Sequence, residues 1–331
     1  MFLLWGMLFS IVWPKRTFSE QENRSLAQRP GFSIQSILSG EYGSAYESYL
    51  SDQFFLRDQW LKLEAASERF FGKKDVNGVY FARDHYLIER HRREEIEAER
   101  LEKNIQAVAR FLSEYPGNFL AVPSASYILK DKLPAFGQES EFSQEDALNR
   151  IEEVFQEKGM ADCFYRADSV LSLHKGEEIY YHTDHHWTTL GAYYSYVFWA
   201  QRRGLIPVSY TEERIKTVSR NFYGTVFSKV GIGGKADEIQ IYMPEGNFSV
   251  DYNLGQRITD SFYEWSYLKK KDQYALFFDG NQPIVRITSE NKNGKRLLVI
   301  KDSYDHCFIP FLEGDYEEII MVDLRYYHGS I

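Results

Sequence analysis

Two uninterrupted apolar runs near the C-terminus, Arg296-Leu297-Leu298-Val299-Ile300 and Glu318-Ile319-Ile320-Met321-Val322, most narrow what this chain can fold into. Each is bounded by polar turns, the pattern expected of strands buried on both faces. A third short apolar run, Asn118-Phe119-Leu120-Ala121-Val122, ends at Pro123-Ser124 and suits a buried strand as well. Residues 94–115 form an amphipathic helix by pattern, with Ile96, Leu101, Ile105, Val108, Phe111 and Leu112 on one side. A second helix is expected over residues 144–158. Asp162-Cys163-Phe164-Tyr165 and Val170-Leu171-Ser172-Leu173 follow it as candidate strands, and Val79-Tyr80-Phe81-Ala82 with Tyr86-Leu87-Ile88 reads as a β-hairpin. Helices alternating with such strands predict an α/β fold, a largely parallel sheet flanked by helices. Residues 33–72 carry aromatics and leucines at helical spacing, interrupted near Gly40 and Gly43, and are read as helices on the surface of that body. No repeat of fixed period appears.

Charge and composition remove several functional classes. The 48 Asp and Glu against 39 Lys and Arg give a net charge of −9, the wrong sign for a nucleic-acid binder. Hydrophobic residues make up 44%, too many for a disordered chain. Two cysteines, Cys163 and Cys307, make neither a disulfide framework nor a spaced metal-ligand set. The N-terminal run Met1-Phe2-Leu3-Leu4-Trp5-Gly6-Met7-Leu8-Phe9-Ser10-Ile11-Val12-Trp13 is free of charge and stops at Pro14-Lys15-Arg16. As a helix it would rise only about 20 Å against the ~30 Å of a bilayer core. It is either a buried helix or, as expected here, the end of a signal anchor (residues 1–14), which makes the chain extracytoplasmic, anchored at the membrane or secreted. Residues 15–32 then read as an extended connector and residues 33–331 as one α/β domain with an N-terminal helical region.

Two polar clusters stand out. The first is Tyr180-Tyr181-His182-Thr183-Asp184-His185-His186-Trp187-Thr188. An extended backbone would project Asp184 and His186 to the same side, where a carboxylate fixes an imidazole's tautomer and steadies its charged form. Trp187 would cover the site, and Thr188 or Thr189 offers a hydroxyl to cap a following helix. The second cluster is Lys301-Asp302-Ser303-Tyr304-Asp305-His306, directly after an apolar strand. Strand ends of this kind are where open α/β sheets bind ligands. Ser303 is placed there either as a nucleophile, with the N–H of Ser303 or Tyr304 for an oxyanion, or as a helix-capping serine. Together Asp184, His186 and Ser303 supply orienter, base and nucleophile for acyl transfer. Two other readings stay open: a metal site built from His182, Asp184, His185 and His186, and a hydrogen-bonded core cluster in a binding module.

Asp184-His185-His186-Trp187, Lys301-Asp302-Ser303-Tyr304, Phe308-Ile309-Pro310-Phe311-Leu312 and Asp323-Leu324-Arg325-Tyr326-Tyr327 resemble the bacterial DHHW protein family. So do Phe18-Ser19-Glu20, Glu22-Asn23-Arg24, Ser51-Asp52-Gln53-Phe54 and Arg57-Asp58, so the resemblance spans nearly the whole chain. The family is similar to the SGNH-hydrolase-like proteins that O-acetylate alginate. That similarity implies an SGNH-like fold, with Asp184 as orienting acid, His186 as base and Ser303 as nucleophile. The glycine that usually opens the serine block is replaced by Lys301. It further implies an O-acetyltransferase or acetylesterase acting on a cell-envelope polysaccharide, with acetyl groups supplied by a membrane-bound O-acyltransferase and no metal or other cofactor. Tyr304, His185, Trp187, Arg325, Gly224 and Asn281 are expected around the substrate or the oxyanion, Arg325 either on an anionic sugar or paired with a surface acid. The different-class alternative is a glycan-binding or assembly protein of the envelope without catalysis.

Overall fold

In the computed structural model, which describes residues 9–10, 12–19, 21–22, 24–135 and 141–329, the two late apolar runs lie side by side. Arg296–Ile300 and Glu318–Val322 pair in parallel, and they form one side of a five-stranded sheet. The strand order across that sheet is Arg257–Thr259, Phe248–Tyr252, Ile284–Ser289, Glu318–Val322, Arg296–Ile300. All pairings but the last are antiparallel, so the expected largely parallel sheet is corrected to a small mixed one. Connection length explains the difference. Phe248–Tyr252 turns straight back into Arg257–Thr259 through a tight turn with Asn253, Leu254 and Gly255 at positive φ, and a hairpin can only be antiparallel. The link from Ile300 to Glu318 is long enough to cross over and bring its two strands side by side in parallel, and it carries the Ser303 segment.

A second parallel pair, Phe119–Ala121 with Phe164–Arg166, stands apart from that sheet, its crossover occupied by the helix Gln144–Glu157. The expected helix over 94–115 is present as Ala98–Glu114, and the expected hairpin as Val79–Phe81 with Leu87–Glu89. Val170 and Leu171, read as strand, lie instead in the short helix Asp168–Leu171. The expectation of two buried faces holds in part for Glu318–Val322, which buries Ile319 and Met321 on one face but only Val322 on the other, where Glu318 and Ile320 are half-buried. It fails for Arg296–Ile300, an edge strand that turns Leu297 and Val299 inward and leaves Leu298 and Ile300 exposed.

The main core joins this sheet to the helix Thr189–Arg202. Tyr196 stacks on Phe311 at 5.3 Å, and Trp187 on Phe308 at 6.3 Å. Aromatic pairs of this kind add about 0.5–1.5 kcal/mol beyond the area they bury. They fix the position of the segment after Ser303 relative to the segment after Asp184.

The described residues of 15–28, expected as part of a connector, are tied to the surface helices Glu41–Asp52 and Arg57–Phe70. A two-strand hairpin pairs Phe18–Ser19 with Arg24–Ser25. Arg24 grips Asp52 with contacts of 2.6 and 2.9 Å, Ala27 N–H donates to the same carboxylate at 2.8 Å, and Arg16 grips Asp58 at 2.7 and 3.0 Å. Arg57 pairs with Glu22. The motifs at 22–24, 51–54 and 57–58, distant in sequence, are thus two sides of one ion-pair network. The expected signal-anchor run falls mostly outside the described residues. Among the described residues, no helix is long and apolar enough to cross a membrane.

Candidate active site

Residues 180–187 form a tight loop closed by a bridge between Tyr180 and Trp187 and by the bond from Tyr181 N–H to His186 O at 3.2 Å. Asp184 shapes it, since its Oδ1 accepts the His186 N–H at 3.1 Å, an Asx turn. Asp184 and His186 therefore meet through a turn, not through the extended backbone expected from their spacing. Asp237, at the start of the strand Asp237–Tyr242, clamps the loop from behind. Its carboxylate accepts from His182 N–H at 2.7 Å, Thr183 N–H at 2.9 Å and the Thr183 hydroxyl at 2.5 Å. His182 is held there as well, its Nδ1 3.1 Å from Asp237 and its ring stacked on Tyr86.

His186 Nδ1 lies 2.5 Å from Asp184 Oδ1, and His186 Nε2 lies 2.7 Å from Ser303 Oγ. With the Nδ1 proton directed at the carboxylate, Nε2 is left to accept the serine hydroxyl proton. Asp184 is buried, and Thr225 donates to its second oxygen from both N–H at 2.7 Å and Oγ1 at 2.9 Å. Burial alone would raise the Asp184 pKa, but His186, His185 and Thr225 outweigh it and hold the carboxyl well below its usual range. Asp184 is thus an acceptor fixed in its ionised form.

Ser303 begins the 3-10 turn Ser303–Cys307 at the end of the strand Arg296–Ile300. The capping role falls to its neighbour. Asp302 Oδ1 accepts the Tyr304 N–H at 2.8 Å, which leaves the half-buried Ser303 hydroxyl to His186. Tyr274 completes the cluster, its ring flat on His186 at 3.9 Å and its hydroxyl donating to Ser303 O at 3.0 Å.

Residues 154–322, just over half of the chain and including all three of these groups, match the family model described as DHHW protein. The chain belongs to the DHHW family. It is also similar in structure to a DHHW family protein from Eubacterium siraeum, with 23% identity, TM-score 0.59, and coverage of 76% of this chain and 84% of that one. A further likeness is to Bacillus cereus PatB1, at 19% identity and TM-score 0.55 over 75% of this chain and 88% of that one. PatB1 has also been solved with a sulfonyl adduct, and that structure matches with TM-score 0.54. These likenesses establish a shared fold. No curated protein matches the chain.

The DHHW signature itself, Asp184-His185-His186-Trp187, divides into distinct tasks. His185 Nδ1 bonds Thr225 Oγ1 at 2.7 Å, and burial lowers its pKa against the pull of Asp184. Trp187 is fully buried and donates from Nε1 to Tyr304 O at 2.8 Å, so it braces the serine turn from below, where the sequence suggested a cover over the site. Tyr304 returns the contact through its hydroxyl to His185 O. The ligand atoms of Asp184, His185 and His186 lie within 4.8 Å of one another, yet those of Asp184 and His186 face each other and that of His185 faces Thr225. They are turned toward one another and toward protein partners, an arrangement that suits proton transfer better than cation binding.

Three of the expected oxyanion or substrate residues take other places. Gly224 N–H is committed to Thr183 Oγ1 at 3.1 Å, and its lack of a side chain serves Asp184: a Cβ there would lie 2.2 Å from Asp184 Oδ2. Tyr304 N–H is committed to Asp302, which leaves Ser303 N–H as the backbone donor without a partner among the described residues. Arg325 pairs with buried Asp323 through contacts of 2.9 and 2.6 Å. Asn281 is exposed in the turn before the strand Ile284–Ser289, at the sheet end where Ser303 also emerges. Thr225, Asp237 and Tyr274 were not singled out as site residues by sequence, although Thr225 directly follows the expected Gly224.

Proposed function

We propose that this DHHW protein is a serine-dependent O-acetyltransferase or acetylesterase of cell-envelope polysaccharide, working outside the cytoplasm with Ser303 as nucleophile, His186 as base and Asp184 as orienting acid. The observation that carries the reading is the continuous line of bonds from Asp184 through His186 to a half-buried serine at a strand end. In the first step Ser303 Oγ attacks the acetyl carbonyl carbon while its proton passes to His186 Nε2. Asp184 stabilises the resulting imidazolium. The tetrahedral oxyanion is met by Ser303 N–H, and collapse expels the donor's oxygen, which takes the proton back from His186. A sugar hydroxyl or water then attacks the acetyl-serine, with His186 as base again, and transfer or hydrolysis restores the enzyme. The acetyl donor is supplied by a membrane-bound O-acyltransferase, and the acceptor is a polysaccharide.

The test is intact-mass analysis of the wild type and Ser303→Ala after exposure to p-nitrophenyl acetate, with p-nitrophenol release followed in parallel. One acetyl group on the wild type and none on Ser303→Ala supports the reading. Identical traces for the two proteins would turn the assignment to a glycan-binding protein without catalysis.

A further inference from the structure

Behind Ser303 lies a buried charged group that the acyl-serine mechanism does not use. Lys301 extends the strand Arg296–Ile300, its N–H donating to Val322 O at 2.9 Å, and its side chain is 1% exposed. The ammonium sits 2.6 Å from His306 Nε2 and 3.6 Å from Asp323 Oδ2. Asp323, itself fully buried, is held by the Arg325 guanidinium and by Arg325 N–H at 3.1 Å. The Lys301–His306 bond joins residues on either side of Ser303 and closes its turn like a clasp. Burying an ammonium costs several kcal/mol before its partners repay it, so such a group is a poor way to gain stability and a good way to fix one geometry.

The clasp reaches the reacting groups through one side chain. An ammonium only donates, so His306 Nε2 accepts, and the His306 Nδ1 proton is left buried without a hydrogen-bond partner. The His306 ring lies near-parallel to Tyr274, centroids 6.3 Å apart, and Tyr274 in turn makes the flat stack on His186. The Tyr274 hydroxyl meets Ser303 O. We propose that Lys301 is a positioning residue, whose buried ammonium, held between His306 and Asp323, sets the Ser303 turn and, through Tyr274, the His186 ring. This inference rests on the acyl-serine reading above.

The charged groups around Lys301 are Asp302, Asp305 and His306 from its own turn and Asp323 with Arg325 from the segment after the last strand. Burial lowers the Lys301 pKa and Asp323 opposes that fall, so the net shift is downward. The ammonium therefore gives up its proton at a lower pH than a free lysine would.

The experiment follows the acetylation rate of the full chain by p-nitrophenol release and intact mass, from about pH 6 to about pH 9.5, beside a thermal melt at each pH. Lys301→Met is expected to melt near the wild type yet acetylate roughly 10- to 100-fold more slowly, the cost of a misplaced nucleophile, with half-saturation unchanged. The wild-type rate is expected to fall on the alkaline side, Lys301→Met to lose that fall, and Lys301→Arg to keep its charge and recover part of the rate. Where Lys301→Met leaves Asp323 too poorly paired to fold, the double variant Lys301→Met/Asp323→Asn removes both charges and carries the same expectation. A folded Lys301→Met or double variant with the wild-type rate and pH profile overturns the proposal. Ser303→Ala labelled like the wild type strikes the acyl-serine reading instead, which keeps the two failures apart.

Discussion

Tyr274 lies flat on His186, the ring centroids 3.9 Å apart and the planes within 13°, while its hydroxyl bonds the carbonyl of Ser303 at 3.0 Å. One side chain thus holds both the base and the nucleophile. Burial pushes the Tyr274 hydroxyl far above its ordinary pKa, so it remains a donor at any working pH. Tyr274→Phe keeps the stack and loses the hydrogen bond, worth about 1 kcal/mol, or roughly a fivefold slower acetylation. Tyr274→Ala loses both and should cost on the order of 100-fold. The p-nitrophenyl acetate burst for the two variants separates these contributions, and equal rates for both would remove Tyr274 from the account.

How much of this was legible in the sequence depends on whether a contact is local. Asp184 and His186 are two residues apart, and Ser303 ends an apolar run, so their types and spacing pointed to the cluster before any geometry was known. Thr188 was likewise readable as a cap, and its hydroxyl accepts the Gly191 N–H at 3.2 Å. Tyr274 had no such signal, being one of 24 tyrosines and joined to His186 only by tertiary packing. Asp237 carried no local signal either, and only the fold turns it onto the loop at 182–183. Strand direction was misread for a related reason. Apolar runs report burial, whereas parallel or antiparallel pairing is decided by the length of the connections.

Gly224 illustrates a residue whose role is space. A Cβ there would sit 2.2 Å from Asp184 Oδ2 and 2.3 Å from its Cβ, and Gly224 N–H is tied to Thr183, so neither side can give way easily. Gly224→Ala should lose about 1–3 kcal/mol of stability from overpacking, read from the urea midpoint. Its acetylation rate should fall further than the lost folded fraction explains, because the strain falls on the orienting carboxylate. A stable Gly224→Ala with full activity would mean that Asp184 has room the structure does not show.

Asp184→Asn offers a different separation. The amide keeps the size of the side chain, yet it cannot hold the His186 tautomer that leaves Nε2 free, and a fall in acetylation on the order of 10⁴ is expected. Stability should respond to pH as well. The folded Asp184 pKa is depressed, so its ionised form stabilises the protein fully above the ordinary aspartate value and loses that contribution as pH falls below it. Melting the wild type and Asp184→Asn from about pH 5 down to about pH 2 should show a smaller acid loss in the variant.

Asp305, two residues beyond Ser303, should show the opposite sign. Burial, with repulsion from Asp302, raises its pKa from 3.8 to about 7 against the pull of Lys301. The native state therefore holds this proton more tightly than the unfolded chain does. Its contribution to stability is complete below pH 3.8, declines as pH rises through the interval to about 7, and is lost above that. Asp305→Asn removes the group that must ionise in the turn, so its melting temperature should fall less than the wild type's between about pH 4 and pH 7 and lie above it at pH 8. Calorimetry across that range decides the matter. If the two proteins run parallel, Asp305 has water enough to ionise normally, and the serine turn is more open than its packing against Trp187 and Phe308 implies.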